Sequence, residues 1–73
     1  MQRTVNQNDV TRIVRSVASA LAVKMSLVSV EPSGAGWHVT ITDVAGRVIS
    51  TDLPTGPPAT IRAAAREWLD SEV

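Results

Sequence analysis

His38 is the only histidine of a 73-residue chain that has no cysteine. A histidine acts as a general base when a carboxylate orients it and a nucleophile stands within reach. It acts as a metal ligand when further ligands stand around it. The alternating stretch Trp37–Asp43 puts His38 on the same strand face as Thr40 and Thr42. Asp52, two strands' worth of chain further on, falls on that face too. No second histidine and no cysteine completes a ligand set, so neither a metal nor any other cofactor is expected. A solvated strand residue is the plainest expectation for His38.

Gly34 and Gly36 form a short Gly-x-Gly after Pro32-Ser33. Backbone amides of such a loop can cradle a phosphate, but a P-loop or dinucleotide site needs a strand before and a helix after. Here extended, alternating sequence lies on both sides, so a hairpin connection is expected. The remaining chemistry is cationic. Arg12 and Arg15 lie in the first third, where Arg3 and Lys24 add charge and Asp9 is the only acid. Arg62 lies near the other end. The whole chain balances seven basic against seven acidic residues, without the basic excess of a typical nucleic-acid binder.

These residues need elements to hold them. Asn6 and Asn8 can each cap a first helix. Its apolar positions Val10, Ile13, Val14, Val17, Ala18, Leu21 and Ala22 form one stripe, which carries the helix to about Val23. Residues 1–7 are read as a flexible arm. Ser26–Glu31 is a first strand, with Val28 and Val30 alternating with Ser29. Trp37–Asp43 is the cleanest strand, with Trp37, Val39 and Ile41 on one face. Val44-Ala45-Gly46 closes a tight hairpin, and Arg47–Leu53 follows with Ile49 and Leu53 on the core face. Pro54-Thr55-Gly56-Pro57-Pro58 ends that strand and starts a second helix, with Thr55 or Gly56 as cap. Ile61, Ala64, Ala65, Trp68 and Leu69 form its stripe.

The expected fold is α+β in the order α-β-β-β-α. A three-stranded antiparallel meander carries both helices on one face, in a single domain over residues 1–73. Trp37, Val39, Ile41, Ile49, Leu53, Val14, Val17, Leu21, Ile61, Ala65 and Leu69 are the expected core. Aromatic residues are 3% of the chain, so aliphatic side chains must fill it. A domain this small buries only about 60% of the surface of its unfolded chain, which makes its stability modest.

The amphipathic first helix, the strand Trp37–Asp43, the hairpin Val44-Ala45-Gly46-Arg47 and the Ala-rich run Ala63–Leu69 together resemble the double-stranded RNA-binding domain, over about residues 8–70. The resemblance implies RNA contacts on the outer face of the first helix, at the loop after the first strand and at a Lys-rich start of the second helix. By position these are Arg12 and Arg15, then Ser33, Gly34 and nearby His38, then Thr55–Thr60 with Arg62 beyond. Thr55–Thr60 holds no lysine. The pattern is also similar to small peptidase-propeptide-like domains and other interaction modules.

No pair of carboxylates sits at a defined helical spacing in an evident cleft, no nucleophile elbow is present, and so small a chain has little room for a pocket. A non-enzymatic binding module is therefore expected, acting through a protein partner or a second copy. Nucleic-acid binding through Arg12, Arg15, Gly34, His38 and Arg62 is the alternative. The absence of cysteine fits a reducing cytoplasm. The Arg- and Ser-containing first segment also has a transit-peptide composition, but its removal leaves too little chain for a core. No apolar run reaches the length of a membrane span.

Overall fold

A computed structural model describes residues 5–72. The elements are α1 (Gln7–Ala20), β1 (Met25–Ser33), β2 (Gly36–Asp43), β3 (Val48–Pro54) and α2 (Pro58–Glu72). The strands form one antiparallel sheet in the order β1-β2-β3. Both helices pack on one face of it, so the α-β-β-β-α order read from the sequence holds.

α1 starts at Asn6 rather than Asn8. The Asn6 side chain accepts from the Asp9 N–H at 3.0 Å, and the Asp9 carboxylate accepts from the Asn6 N–H at 3.2 Å. This reciprocal capping box satisfies two amides that the first turn leaves without a helical partner. Val5 and Val10 stand at the two positions of a hydrophobic staple, and both belong to the buried core. The arm expected over residues 1–7 thus gives way to ordered chain by Val5; its residues 1–4 lie outside those described.

α1 ends three residues before Val23. The Val23 N–H bonds the Ala18 carbonyl at 2.8 Å and the Ala22 N–H bonds that of Ser19 at 3.1 Å. This is a Schellman closure, which needs a left-handed residue, usually Gly. Here Ala22 holds that place at φ 59°. Ala22 is accordingly exposed, and Leu21 is only half-buried, so the end of the apolar stripe does not enter the core.

β1 is longer than expected at both ends, and the loop after it shrinks to Gly34-Ala35. Ser33 pairs with Gly36, and Gly34 has φ +56°. Glycine at the first position of a two-residue loop suits the twist of the hairpin. The second hairpin turns through Val44-Ala45-Gly46. The Gly46 N–H bonds the Asp43 carbonyl at 3.1 Å, the Asp43 N–H bonds that of Arg47 at 2.9 Å, and Gly46 takes φ +88°. Asp43 Oδ1 also accepts from the Ala45 and Arg47 N–H groups, each at 2.9 Å. That side chain fixes the turn.

α2 begins with Pro58 in its first turn, and the Pro57 carbonyl accepts from Thr60 and Ile61. Pro57 thus stands at the cap position expected for Thr55 or Gly56. Proline suits the start of a helix because no N–H is needed there.

Val10, Val14, Val39, Ile41, Ile61, Ala65 and Leu69 are fully or almost fully buried, with Ile13, Val17, Ala18, Val30 and Leu53 around them. Full burial of an aliphatic side chain of this size is worth about 1.5–3 kcal/mol. Trp37, Ile49 and Leu21, expected in the core, are half-buried at its margin with Trp68. The sheet has only one covered face, so the large rings pack along its border.

Candidate functional site

The other face of the sheet carries no helix, and its residues follow from the register. Three cross-strand rows run over it: Leu27, Thr42 and Val48, then Ser29, Thr40 and Ser50, then Glu31, His38 and Asp52, each with its β2 residue in the middle. One end of this open face is therefore apolar, its middle hydroxylic and its far end acidic. Leu27 is 59% and Val48 61% exposed, and Val44 in the adjoining turn is 68% exposed. Lysine and arginine are absent from all three rows.

His38 and Asp52 meet as the alternation suggests, with Nδ1 2.8 Å from Oδ1. The pair is open to water, at 45% and 76% side-chain exposure. Solvent screening keeps such a pair to a few tenths of a kcal/mol. A carboxylate that orients a histidine is half of a nucleophile-activating arrangement. Among the described residues His38 bonds no hydroxyl, and no group of three or more His, Cys, Asp or Glu could hold a metal ion.

The arginines lie on the opposite side of the molecule. Arg12 and Arg15 are exposed on α1, on the face that turns away from Val10, Val14 and Val17. Ser16 shares that face. Arg62 reaches across from α2 to place Nη1 3.4 Å from Ser16 Oγ. Arg12, Arg15 and Arg62 thus gather on the helix layer. Gly34 stands in the β1–β2 turn, and His38 faces away from the helices. The five residues singled out from the sequence divide between two surfaces.

A small cavity of about 60 Å³ lies between the sheet and the end of α2. Val23, Ile41, Ile49 and Leu69 line it, and the Arg47–Glu72 ion pair at 3.2 Å stands at its side. Ligand pockets run to about 300–1,000 Å³, so this space takes no substrate of ordinary size.

The sequence did not reveal how differently the two edges of the sheet are finished. A two-residue loop makes its flanking residues, Ser33 and Gly36, a hydrogen-bonded pair, and bonded pairs alternate from there. The backbones of Glu31 and Ser29 therefore face β2, and those of Val28, Val30 and Pro32 face outward. On that outer edge the Gln7 side chain donates to the Val30 carbonyl, and Pro32 has no N–H to offer. A bulge between Met25 and Leu27 bends the same strand, and Ser26 Oγ there bonds the Thr42 and Asp43 carbonyls at 3.2 and 3.3 Å.

β3 shares only the proline, Pro54 at its last position, and among the described residues has neither the bulge nor a side chain bonded to its edge. The bond from Asp43 N–H to Arg47 O sets its phase, so Ile49, Thr51 and Leu53 bond toward β2. The N–H and C=O groups of Val48, Ser50 and Asp52 then point away from the sheet. The register from Val48 to Pro54 is unbroken, and among the described residues no side chain bonds the β3 backbone.

No family model matches the chain, and neither a curated protein nor a solved structure does. Among the described residues no helix is long and apolar enough to cross a membrane.

Proposed function

We propose that this chain is a small non-enzymatic binding module that works through protein contacts on the open side of its sheet, as an accessory or inhibitor protein or as a homodimer. The observation that carries the proposal is the uncovered face itself. Leu27 and Val48 flank Thr42 in one cross-strand row, both more than half exposed, and Val44 is exposed in the adjoining turn. Grouped exposed aliphatic side chains mark contact surfaces more often than scattered ones do. The adjoining row of Ser29, Thr40 and Ser50 supplies hydroxyls that can pair across an interface.

The test is light scattering on the eluted protein, followed by affinity capture from the native host with the wild type and a Thr40→Arg variant. Either a dimer or a captured partner that Thr40→Arg abolishes supports the proposal. A strict monomer that captures nothing contradicts it.

A second reading has its own observation. The Arg62–Ser16 bond draws Arg62 toward the face of α1 that carries Arg12 and Arg15. This supports duplex nucleic-acid binding in the manner of a double-stranded RNA-binding domain, although Thr55–Thr60 lacks the lysines such domains use. Each phosphate neutralised contributes about −0.9 to the slope of log affinity against log salt on duplex DNA. Duplex RNA and DNA gel shifts at low salt, with Arg12→Ala and Arg15→Ala, check it. No shift at low salt removes this reading.

A further inference from the structure

We infer that the free edge of β3 is a docking edge for an extended segment of another protein, apolar where it pairs with Val48 and basic where it pairs with Asp52. The inference rests on the protein-binding proposal above and specifies the partner's chemistry.

Its first ground is the backbone. Val48, Ser50 and Asp52 point their N–H and C=O groups outward along an unbroken run, and an open edge of this kind is a template for one more strand. The second ground is selectivity between edges. A partner strand meets a proline, a bulge and an occupied Val30 carbonyl along β1, and at β3 meets no such obstacle from Val48 to Asp52, the proline there standing at the strand's end, Pro54. The third ground is the side chains that flank the edge. An added strand places alternate side chains on the open face, beside Val48, Ser50 and Asp52. Val48 is 61% exposed and continues the apolar end of that face. Asp52 is 76% exposed at its side chain, with one oxygen bonded to His38 and the other without a partner among the described residues, Glu31 beyond His38 in the same row, and no lysine or arginine on the face. A basic side chain complements that end, an aliphatic one the other, and a small polar one fits beside Ser50. On the helix side the incoming residues lie next to half-buried Ile49 and Thr51, so β-branched apolar residues suit them.

The probe is a blocked peptide with the core Lys-Val-Thr-Ile-Val flanked by glycines, which runs antiparallel to residues 52–48. It is titrated into the ¹⁵N-labelled full chain. The expected result is that amide shifts and slowed hydrogen exchange concentrate on Val48, Ser50 and Asp52. N-methylation of the peptide's central threonine removes a bond to Ser50 and weakens binding about tenfold or more. Exchange of its lysine for glutamate weakens binding at low salt. Ser50→Pro abolishes binding while tryptophan fluorescence and circular dichroism stay native. Should Ser50→Pro fail to fold, the N-methylated peptide tests the same backbone bond on intact protein.

Absence of any perturbation at millimolar peptide overturns the inference. A chain that ignores the peptide but captures a partner through a Thr40→Arg-sensitive face keeps the protein-binding proposal and loses this one. So does peptide binding that spreads over Ser29 and Thr40 and ignores N-methylation. A chain that is dimeric by light scattering and becomes monomeric with Ser50→Pro has a second copy on the edge, which overturns the basic and apolar partner segment inferred for it.

Discussion

The two edges of the sheet are built from the same hydrogen-bonding backbone and are finished to different degrees. At β1 a helix side chain occupies the Val30 carbonyl, Pro32 removes a donor, and a bulge breaks the register near Met25. At β3 the ladder phase leaves the backbone N–H and C=O groups of Val48, Ser50 and Asp52 facing outward, with no partner for them among the described residues. Uncovered edges invite unwanted pairing, and small proteins commonly blunt them. One edge of this domain is blunted three times over. The contrast teaches that readiness to add a strand is a local property, set by which carbonyls and amides are already occupied.

The strongest test of that contrast is a pair of prolines one residue apart. Thr51 bonds toward β2, so Thr51→Pro removes a ladder bond and is expected to cost about 3 kcal/mol or more in urea unfolding. Ser50 bonds outward, so Ser50→Pro is expected to cost about 1 kcal/mol or less. Equal losses would break the phase assignment on which the open edge depends. At β1, Gln7→Ala removes the cover from the Val30 carbonyl, and a loss of about 1 kcal/mol is expected in the same assay.

Ala22→Gly acts where α1 hands over to β1. It relieves a left-handed alanine at φ 59° and is expected to raise stability by about 0.5–1 kcal/mol. Thermal unfolding by circular dichroism reads this gain, and a loss would mean that the Schellman closure is not formed. The smallest effect belongs to Asp52→Ala. Its bond to His38 is open to water, so stability should change by no more than about 0.5 kcal/mol. The same substitution removes the preference of the edge for a basic peptide, which separates a binding role from a structural one.

Much of this fold was legible in the sequence because hydrophobic period is a strong signal. The stripe from Val10 to Ala18 and the alternation of Trp37, Val39 and Ile41 gave the elements and their faces. That alternation also placed His38 and Asp52 together, since residues on paired strands share a face once the hairpin is set. The boundaries were less visible. Ala22 carries no mark of a left-handed residue, so the apolar stripe runs on toward Val23 without a stop signal. Val5 falls within the span expected as a flexible arm, because its staple partner, Val10, lies five residues on inside the helical stripe.

The candidate surfaces were legible in part. Arg12 and Arg15 follow from helical spacing, but the approach of Arg62 to Ser16 depends on how two helices dock, which no spacing within one helix encodes. The difference between the edges was hidden for a similar reason. Gln7 is distant in sequence from Val30, and ladder phase depends on the length and bonding of each turn. By residue type alone, Ser50 and Thr51 are equivalent strand residues.

Amide hydrogen exchange along β3 in the free protein tests the open edge most directly. Alternation is the expected result: slow exchange at Ile49, Thr51 and Leu53, whose amides bond to β2, and fast exchange at Val48, Ser50 and Asp52. Uniform protection from Val48 to Leu53 would contradict it, because the outer edge of β3 would then already be bonded.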